Sequence, residues 1–478
     1  MFEIMQFDSI EALIKAYKKF EKKTLKEIYE FVSITYPNIK LTTNKGIVGQ
    51  VLEALIGNAP NSSPLQDVKN LDIELKVLPL RKIGDKLQPK ERSKIKSINY
   101  QKIVDEEWNS SDLRDKMKKI LFLQYEHPTG KTFEDWEEFI FKGCLLYDLE
   151  NENEHIVKTD WEGIRFKVKT EQADTLSESH GKVLGACTSG TGKLLSYGNN
   201  KQAKQRSYSL KHNYLKVFYD EKVNKQKFEN ITLDKNVSIV EFITNKINEL
   251  NGKKLESISK ETGIEFSNSA KSSFRLLVNK ILGLKEKSQI RELEENGIQI
   301  KTIPIDNKNE AWEAMSFPKF SLIDLLNEEW EANDDDAEEA VFKKIISNGF
   351  IFIPIIKEKI KDENGKPKFK NWESWKVGKS FYWKANDEEI EIIKDEWIQA
   401  KNIVQNGVEV EDVIHGEGYR QENNLLKSSS TKIIHIRPHG KDSNDIDKPF
   451  FKHKSIRITW QSFWLNKSYI NQILKINS

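Results

Sequence analysis

Asp67 is followed, after six intervening residues, by Glu74-Leu75-Lys76, and these residue types at this spacing can do hydrolytic chemistry on a phosphodiester. Two carboxylates that converge, with the Leu75 carbonyl as a third oxygen, suit one hard divalent cation. Side chains alternate along a strand, so Glu74 and Lys76 in Ile73-Glu74-Leu75-Lys76-Val77 leave the same side. There Lys76 can orient or deprotonate a water and hold the scissile phosphate. Taken alone, the pair reads more simply as an ion pair on an exposed strand face.

Elements that position such a group are legible around it. "KGIVGQVLEALIG" predicts a short helix from Gly46 to Ile56, stopped by Gly57 and carrying Glu53, a further carboxylate upstream of Asp67. Residues 9–33 have helical spacing, "DIELKVLPL" and "KKILFLQYEH" read as strands, and Asp160 to Val168 reads as helix. The expected class is α+β with a mixed central sheet flanked by helices.

The chain has 478 residues, 37% apolar and 31% charged, with 24 Phe, 13 Tyr and 11 Trp. That length and composition predict a soluble chain of two domains. The densest apolar run, Phe350 to Ile356, holds seven residues and includes Pro354, too short for a membrane span. Two cysteines, Cys144 and Cys187, exclude a disulfide framework and make a reducing cytoplasm the default location. The formal charge is only +2, but its distribution is uneven. Ser179 to Tyr219 contains no acid and carries Lys182, Lys193, Lys201, Lys204, Arg206, Lys211 and Lys216. Lys448 to Ser478 also lacks acids and interleaves Lys and Arg with Phe, Trp and Tyr. Such stretches suit phosphate contacts.

The two halves share an order of segments. "VLEALIG" matches "LVNKILG", "LDIELKVLPL" matches "NGIQIKTIPI", "VDEEW" ending at Trp108 matches "LNEEW" ending at Trp330, and "RSYSLKHNY" matches "QSFWLNKSY". A duplication is expected, with copy one at 1–222, a polar joint at 223–236 and copy two at 237–478.

The combination "KGxxGQxLE…LG…D…xELKxxP" resembles the MutH family, which comprises a mismatch-repair nickase cutting at GATC and related restriction endonucleases. The tandem arrangement is most similar to the two-copy restriction endonucleases of that family. The resemblance implies two PD-(D/E)XK domains, magnesium (with manganese as a substitute), duplex DNA, the site 5′-GATC, self-association on DNA, and a methyltransferase working in the same system. It assigns catalysis to Glu53, Asp67, Glu74, Lys76 and Lys116, with Lys118 and Lys119 as competing registers for the last, and the metal to Asp67, Glu74 and the Leu75 carbonyl.

For DNA reading, the family's "LxxRPK" loop corresponds in copy two to "IIHIRPHGK", hence Arg437, Pro438 and His439, with Trp464 nearby. Copy one departs, having "VLGACTSGTGK", so Lys193 and the loop Thr188 to Lys193 are expected to meet DNA together with Lys204, Arg206, Tyr208, Ser209 and Lys211. That loop is no phosphate-binding P-loop, because Cys187 stands where glycine is required and Leu194 follows the lysine. Copy two has Gln299 for Glu74, about Asn279 for Glu53 and Glu292 for Asp67, while Lys301 and Pro304 persist. A noncatalytic DNA-binding or effector role follows for it, or a scaffold role. Two other readings of the chain stand beside the restriction enzyme: a strand nickase, and a DNA-binding regulator without catalysis.

Overall fold

The computed structural model describes residues 7–42, 46–59, 66–189, 193–199, 201–231, 237–268, 272–286, 288–331, 338–365, 367–415 and 418–477. The chain forms two compact units. The first is Met1–Asn224 with Glu331–Glu339, and the second is Lys225–Trp330 with Ala340–Ser478.

In the first unit, α1 (Ile10–Lys18) is opened by Ser9, whose side chain accepts the Ala12 N–H. The next helix, α2 (Leu25–Thr35), is opened by a Thr24/Glu27 capping box. A third, α3 (Ile47–Ala54), is followed by Gly57 at φ 82°, a conformation in which a side chain would be strained. The strands β1 (Ile73–Ile83), β2 (Lys86–Pro89), β4 (Lys119–Glu126) and β5 (Ile140–Asp148) form a sheet in the order β2-β1-β4-β5, with β1 and β4 parallel and the other pairs antiparallel. Between β2 and β4 the chain makes β3 (Ser93–Ser97) and α4 (Asp112–Met117).

After β5 come α5 (Glu154–Lys169), β6 (Leu184–Thr188), β7 (Leu194–Tyr197), β8 (Lys201–Lys204), β9 (Arg206–Leu210) and α6 (His212–Lys222). The strands β3-β9-β6 make a second, antiparallel sheet.

The central sheet is covered on both faces, which is why β4 reads as an unbroken apolar run. Leu121 and Leu123 enter the core built with α1 to α3, while Ile120 and Phe122 enter the core built with α5, α6 and the second sheet. On β1 the same alternation places Ile73 and Leu75 in the first core and Leu78 and Leu80 in the second. Glu74 and Lys76 head the latter row.

The second sheet is tied to α5 by Asp160, whose carboxylate accepts the N–H groups of Lys182, Val183 and Leu184 at 2.8–2.9 Å. The turn leading there needs Gly181 (φ 82°), since a Cβ on it would stand 2.2 Å from the Leu184 carbonyl oxygen. Trp161, beside Asp160, is fully buried and packs on Trp108 with ring centroids 5.6 Å apart.

In the second unit, strand Gln299–Ile305 pairs in parallel with Phe350–Ile356, which pairs antiparallel with Phe381–Trp383 and Lys376–Val377. A second antiparallel sheet runs Met315–Phe320, Gln461–Leu465, Ile434–Pro438. Glu396, on helix Asp387–Asn406, accepts the N–H groups of Lys432, Ile433 and Ile434, and the neighbouring Trp397 packs on Trp330 at 5.7 Å. Among the described residues, no helix is long and apolar enough to cross a membrane.

Candidate active site

Asp67 lies ahead of a single bridge pair, Val68 with Ile73, and a 3-10 turn at Lys69–Leu71 that closes with Asp72 in the left-handed region at φ 54°. This tight turn returns the chain onto β1. The Asp67 carboxylate accepts the Leu75 N–H at 2.8 Å, which ties it to the strand beside Glu74. Asn58, on the segment after α3, donates to the Asp67 carbonyl at 3.0 Å.

Glu74 is 1% exposed. Lys76 Nζ is 2.8 Å from its Oε1, so the two side chains do leave one side of β1 and meet. Lys116 Nζ, from α4, reaches both oxygens at 2.8 and 2.9 Å. Met117 goes into the core, which turns Lys116 toward β1, and among the three neighbouring lysines it is Lys116 that meets Glu74. Two positioning contacts hold α4 there. Gln66 Nε2 donates to the Asp115 carbonyl at 2.9 Å, and Asp112 takes Lys96 at 2.8 Å and Lys102 at 2.6 Å.

Three carboxylates and two lysines share this pocket. Burial pushes the Glu53 carboxyl up to about 7, with Asp67 adding to the rise and Lys76 opposing it. Burial likewise raises Asp67, reinforced by Glu74 and opposed by the Leu75 N–H. Crowded, desolvated acids of this kind hold their protons or take a cation. The donor chemistry, hard carboxylate oxygens with a main-chain carbonyl beside them, fits a divalent ion completed by water. Among the described residues, no group of three or more His, Cys, Asp or Glu is placed to hold a metal ion, so the fit rests on two carboxylates and the Leu75 carbonyl.

The residues of the second unit expected from the sequence to match these do other work. Lys301 Nζ donates to the Ser316 carbonyl at 3.0 Å and lies over the Phe317 ring at 4.9 Å. Asn279 is buried and donates to the carbonyls of Lys285, Glu286 and Ser288, holding a loop. Glu292 accepts the Ile231 N–H.

The expected DNA-reading residues separate into two groups. Lys193 and Lys204 are exposed, and Lys211 opens α6 with Nζ on the Gly181 carbonyl. Gly190 to Gly192, within the expected reading loop, lie outside the described residues. Arg206 is half-buried, donating to the Ala186 carbonyl and the Thr188 hydroxyl.

Tyr208 and Ser209 require correction: both are buried on β9, the central strand of its sheet, which is covered on both sides. They have no surface to offer a duplex. In the second unit Arg437 and Pro438 are exposed; Arg437 lies over the Trp464 ring at 5.6 Å, and His439 bonds Ser462 at 2.7 Å.

Sequence reasoning passed over a basic group on the first unit formed by Arg81, Lys90, Arg92 and His127. A signal was present, since residues 81–96 carry seven Lys or Arg. Only the fold gathers three of these side chains with His127.

The sequence of the chain is similar to those of known DNA-cleaving and DNA-repair proteins. Residues 56–160, which contain Asp67, Glu74, Lys76 and Lys116, match the family described as MutH, DNA mismatch repair enzyme. The type II restriction enzyme Sau3AI of Staphylococcus aureus is 28% identical over 467 residues, covering 90% of this chain and 92% of the relative. The DNA mismatch repair protein MutH of Vibrio campbellii is 30% identical over 158 residues, covering 33% of this chain and 67% of that protein. The MutH protein of Salmonella paratyphi A is 28% identical over 175 residues, covering 36% and 73%.

Proposed function

The chain belongs to the MutH family, and we propose that it is a type II restriction endonuclease that hydrolyses both strands of duplex DNA at 5′-GATC with Mg²⁺. The single observation that carries the chemistry is the buried Glu74 carboxylate gripped by two lysines beside an Asp67 fixed on the Leu75 N–H. An ion pair kept only for stability would gain little from burial, and replacing it with apolar residues would cost nothing. Held among further acids, it is a site prepared for charge.

Asp67, Glu74 and the Leu75 carbonyl would hold the ion. When bound, magnesium supplies Lewis-acid neutralisation of charge on the phosphoryl oxygens. The protein's own residues do the rest. Lys76, partly exposed, faces the phosphate and orients the attacking water. Lys116 holds Glu74 in place and adds positive charge where the transition state gathers negative charge. Glu53, with its carboxyl raised to about 7, is poised near neutrality to accept the water's proton.

The restriction reading, rather than a nickase, rests on likeness to a type II restriction enzyme over nine-tenths of the chain. We read the two units as tandem PD-(D/E)XK copies. Each has a parallel pair at the heart of its first sheet, a three-stranded antiparallel second sheet, and a buried acid-Trp pair on a long helix whose carboxylate takes three successive N–H groups leading into a strand. The second copy lacks the acids and keeps an Arg437/His439/Trp464 group suited to base and phosphate contact, so it serves as an effector that binds another GATC duplex.

Incubating plasmids with and without GATC sites in Mg²⁺ tests the reading. Double-strand fragments from the GATC plasmid alone are expected. Nicked circles alone would make the chain a nickase, and binding without cutting would make it a regulator.

A further inference from the structure

A second charged site lies on the first unit, away from Glu74. Lys90 and Arg92 are largely buried, as is His127, and Arg81 stands beside them. The first unit's 1–224 stretch supplies few acids here: Glu178, 2.7 Å from Arg92, and the neighbouring Glu91. The other anions come from Glu331–Glu339, a stretch far along the sequence that packs as part of this unit. Glu338 pairs with Lys90, and lies 3.7 Å from Arg81 and 3.6 Å from His127. Glu339 is 2.6 Å from Arg92, and Glu331 is 3.6 Å from Lys204. Despite desolvation, Lys90, His127 and Arg81 hold the Glu338 carboxyl below its ordinary range.

Two features set this apart from an ordinary structural ion-pair network. The first is the origin of the acids. Three residues, 109–111, join Trp108 to α4, whereas ten, 331–340, join Trp330 to helix Val341–Asn348, and the ten read EANDDDAEEA. In the tandem reading these are equivalent joints, so the acids sit in an extension that copy one lacks. The second is unspent donor capacity: Arg92 Nε and His127 Nδ1 are buried without a hydrogen-bond partner. A carboxylate satisfies a guanidinium fork bidentately, as a phosphate does.

We infer that Arg81, Lys90, Arg92 and Lys204 form a phosphodiester-binding subsite for the DNA flanking the cut, and that Glu331, Glu338 and Glu339 occupy it as carboxylate stand-ins in the DNA-free chain. With those three carboxylates displaced, four cations stand together with Glu178 and Glu91 beside them, an attractive place for a polyanion. Arg81 is five residues along β1 from Lys76, roughly 16 Å at strand rise. That spacing separates the subsite from Glu74 and Lys76 along the strand. Binding there requires exchange of one set of anions for the other, which makes the acidic strap a competitor of the substrate.

The inference rests on the endonuclease reading, and the test separates the two. Full-length protein is titrated with a fluorescent GATC duplex carrying ten base-pair flanks, in Ca²⁺, and cleavage is followed in Mg²⁺. If the strap leaves roughly a tenth of molecules open, apparent affinity is reduced about tenfold. Glu338→Gln with Glu339→Gln should therefore bind about tenfold tighter than wild type and retain cleavage. Arg92→Gln should bind more weakly, with a shallower salt dependence, and adding the two Glu→Gln changes to it should recover little.

If the double variant melts far below wild type, Glu331→Gln, at the exposed Lys204 pair, should still tighten binding, though less. Wild type that cuts GATC while every strap variant binds as wild type does would overturn the inference and leave the function standing. Wild type that neither binds nor cuts would overturn both.

Discussion

Replacing Lys116 with Met removes one of two cations from a carboxylate that has almost no water to turn to. Glu74 is 1% exposed and takes Lys116 at 2.8 and 2.9 Å and Lys76 at 2.8 Å. Breaking a buried charge pair costs about 3–5 kcal/mol, and because Lys76 stays, the lower figure applies. A unit of this size loses roughly 2–4 °C per kcal/mol, so the melting temperature in EDTA should fall by about 6–12 °C. A divalent cation restores the missing charge, so excess Mg²⁺ should stabilise the variant more than the wild type and narrow that gap. Cleavage should fall further than stability explains, by about 10²–10³ in single-turnover rate, since the lysine also faces charge that develops only in the transition state. Calorimetry with and without Mg²⁺, beside a quench-flow cleavage assay, reads all three. An unchanged melting point in EDTA, or a deficit that Mg²⁺ leaves untouched together with wild-type cutting, would refute the view that Lys116 and the metal share Glu74.

Burial, with Lys90 beside it, pushes His127 down to about 3, so between that value and about 6.5 the unfolded chain binds a proton there that the folded chain does not. Stability therefore rises with pH across this window and is lost on acidification, by up to about 1.4 kcal/mol per pH unit; His127→Phe should flatten the acid limb of a stability-against-pH curve, and an unaltered limb would contradict the assignment. Lys204→Gln with Lys211→Gln should lower the slope of log K against log salt by about 2, and an unchanged slope would place the duplex elsewhere. Arg437→Ala should weaken duplex binding by the second unit by about 1–3 kcal/mol and slow cutting of two-site plasmids, with no change in Mg²⁺ affinity. Asp160→Asn should cost about 3 kcal/mol, because three N–H groups at the entry to β6 lose a charged acceptor, while the Mg²⁺-induced shift in melting temperature stays as in wild type.

What the sequence disclosed was local. Glu74 and Lys76 could be placed on one side of a strand because alternation is a property of the backbone, and Gly57 could be read as a helix stop because few other residues take its φ. Lys116 was ambiguous among three lysines. Its neighbour Met117 settles the helix rotation, and that rotation depends on which core the helix meets. Tyr208 and Ser209 were misjudged because a polar, aromatic strand reads as a surface when the strands beside it and the core it packs on are not yet known.

The acid-Trp pairs at Asp160 and Glu396 each cap a strand more than twenty residues away, a link that no local pattern carries. Glu338 meets Lys90 across 248 positions. Read locally, the first is an acidic linker and the second a basic turn, and only tertiary structure makes them one site.

The most direct test of the central claim is Glu74→Gln, which keeps the size, removes the charge and leaves one acceptor oxygen for the two lysines. A GATC plasmid in Mg²⁺ and a GATC duplex in Ca²⁺ are given to the same preparation, with its melting temperature recorded. The account predicts that the plasmid stays supercoiled, with the cutting rate down by at least about 10³, while the duplex binds as it does to wild type. Full cutting by Glu74→Gln would show that the strand's acid and base are only an ion pair and that the chemistry lies elsewhere.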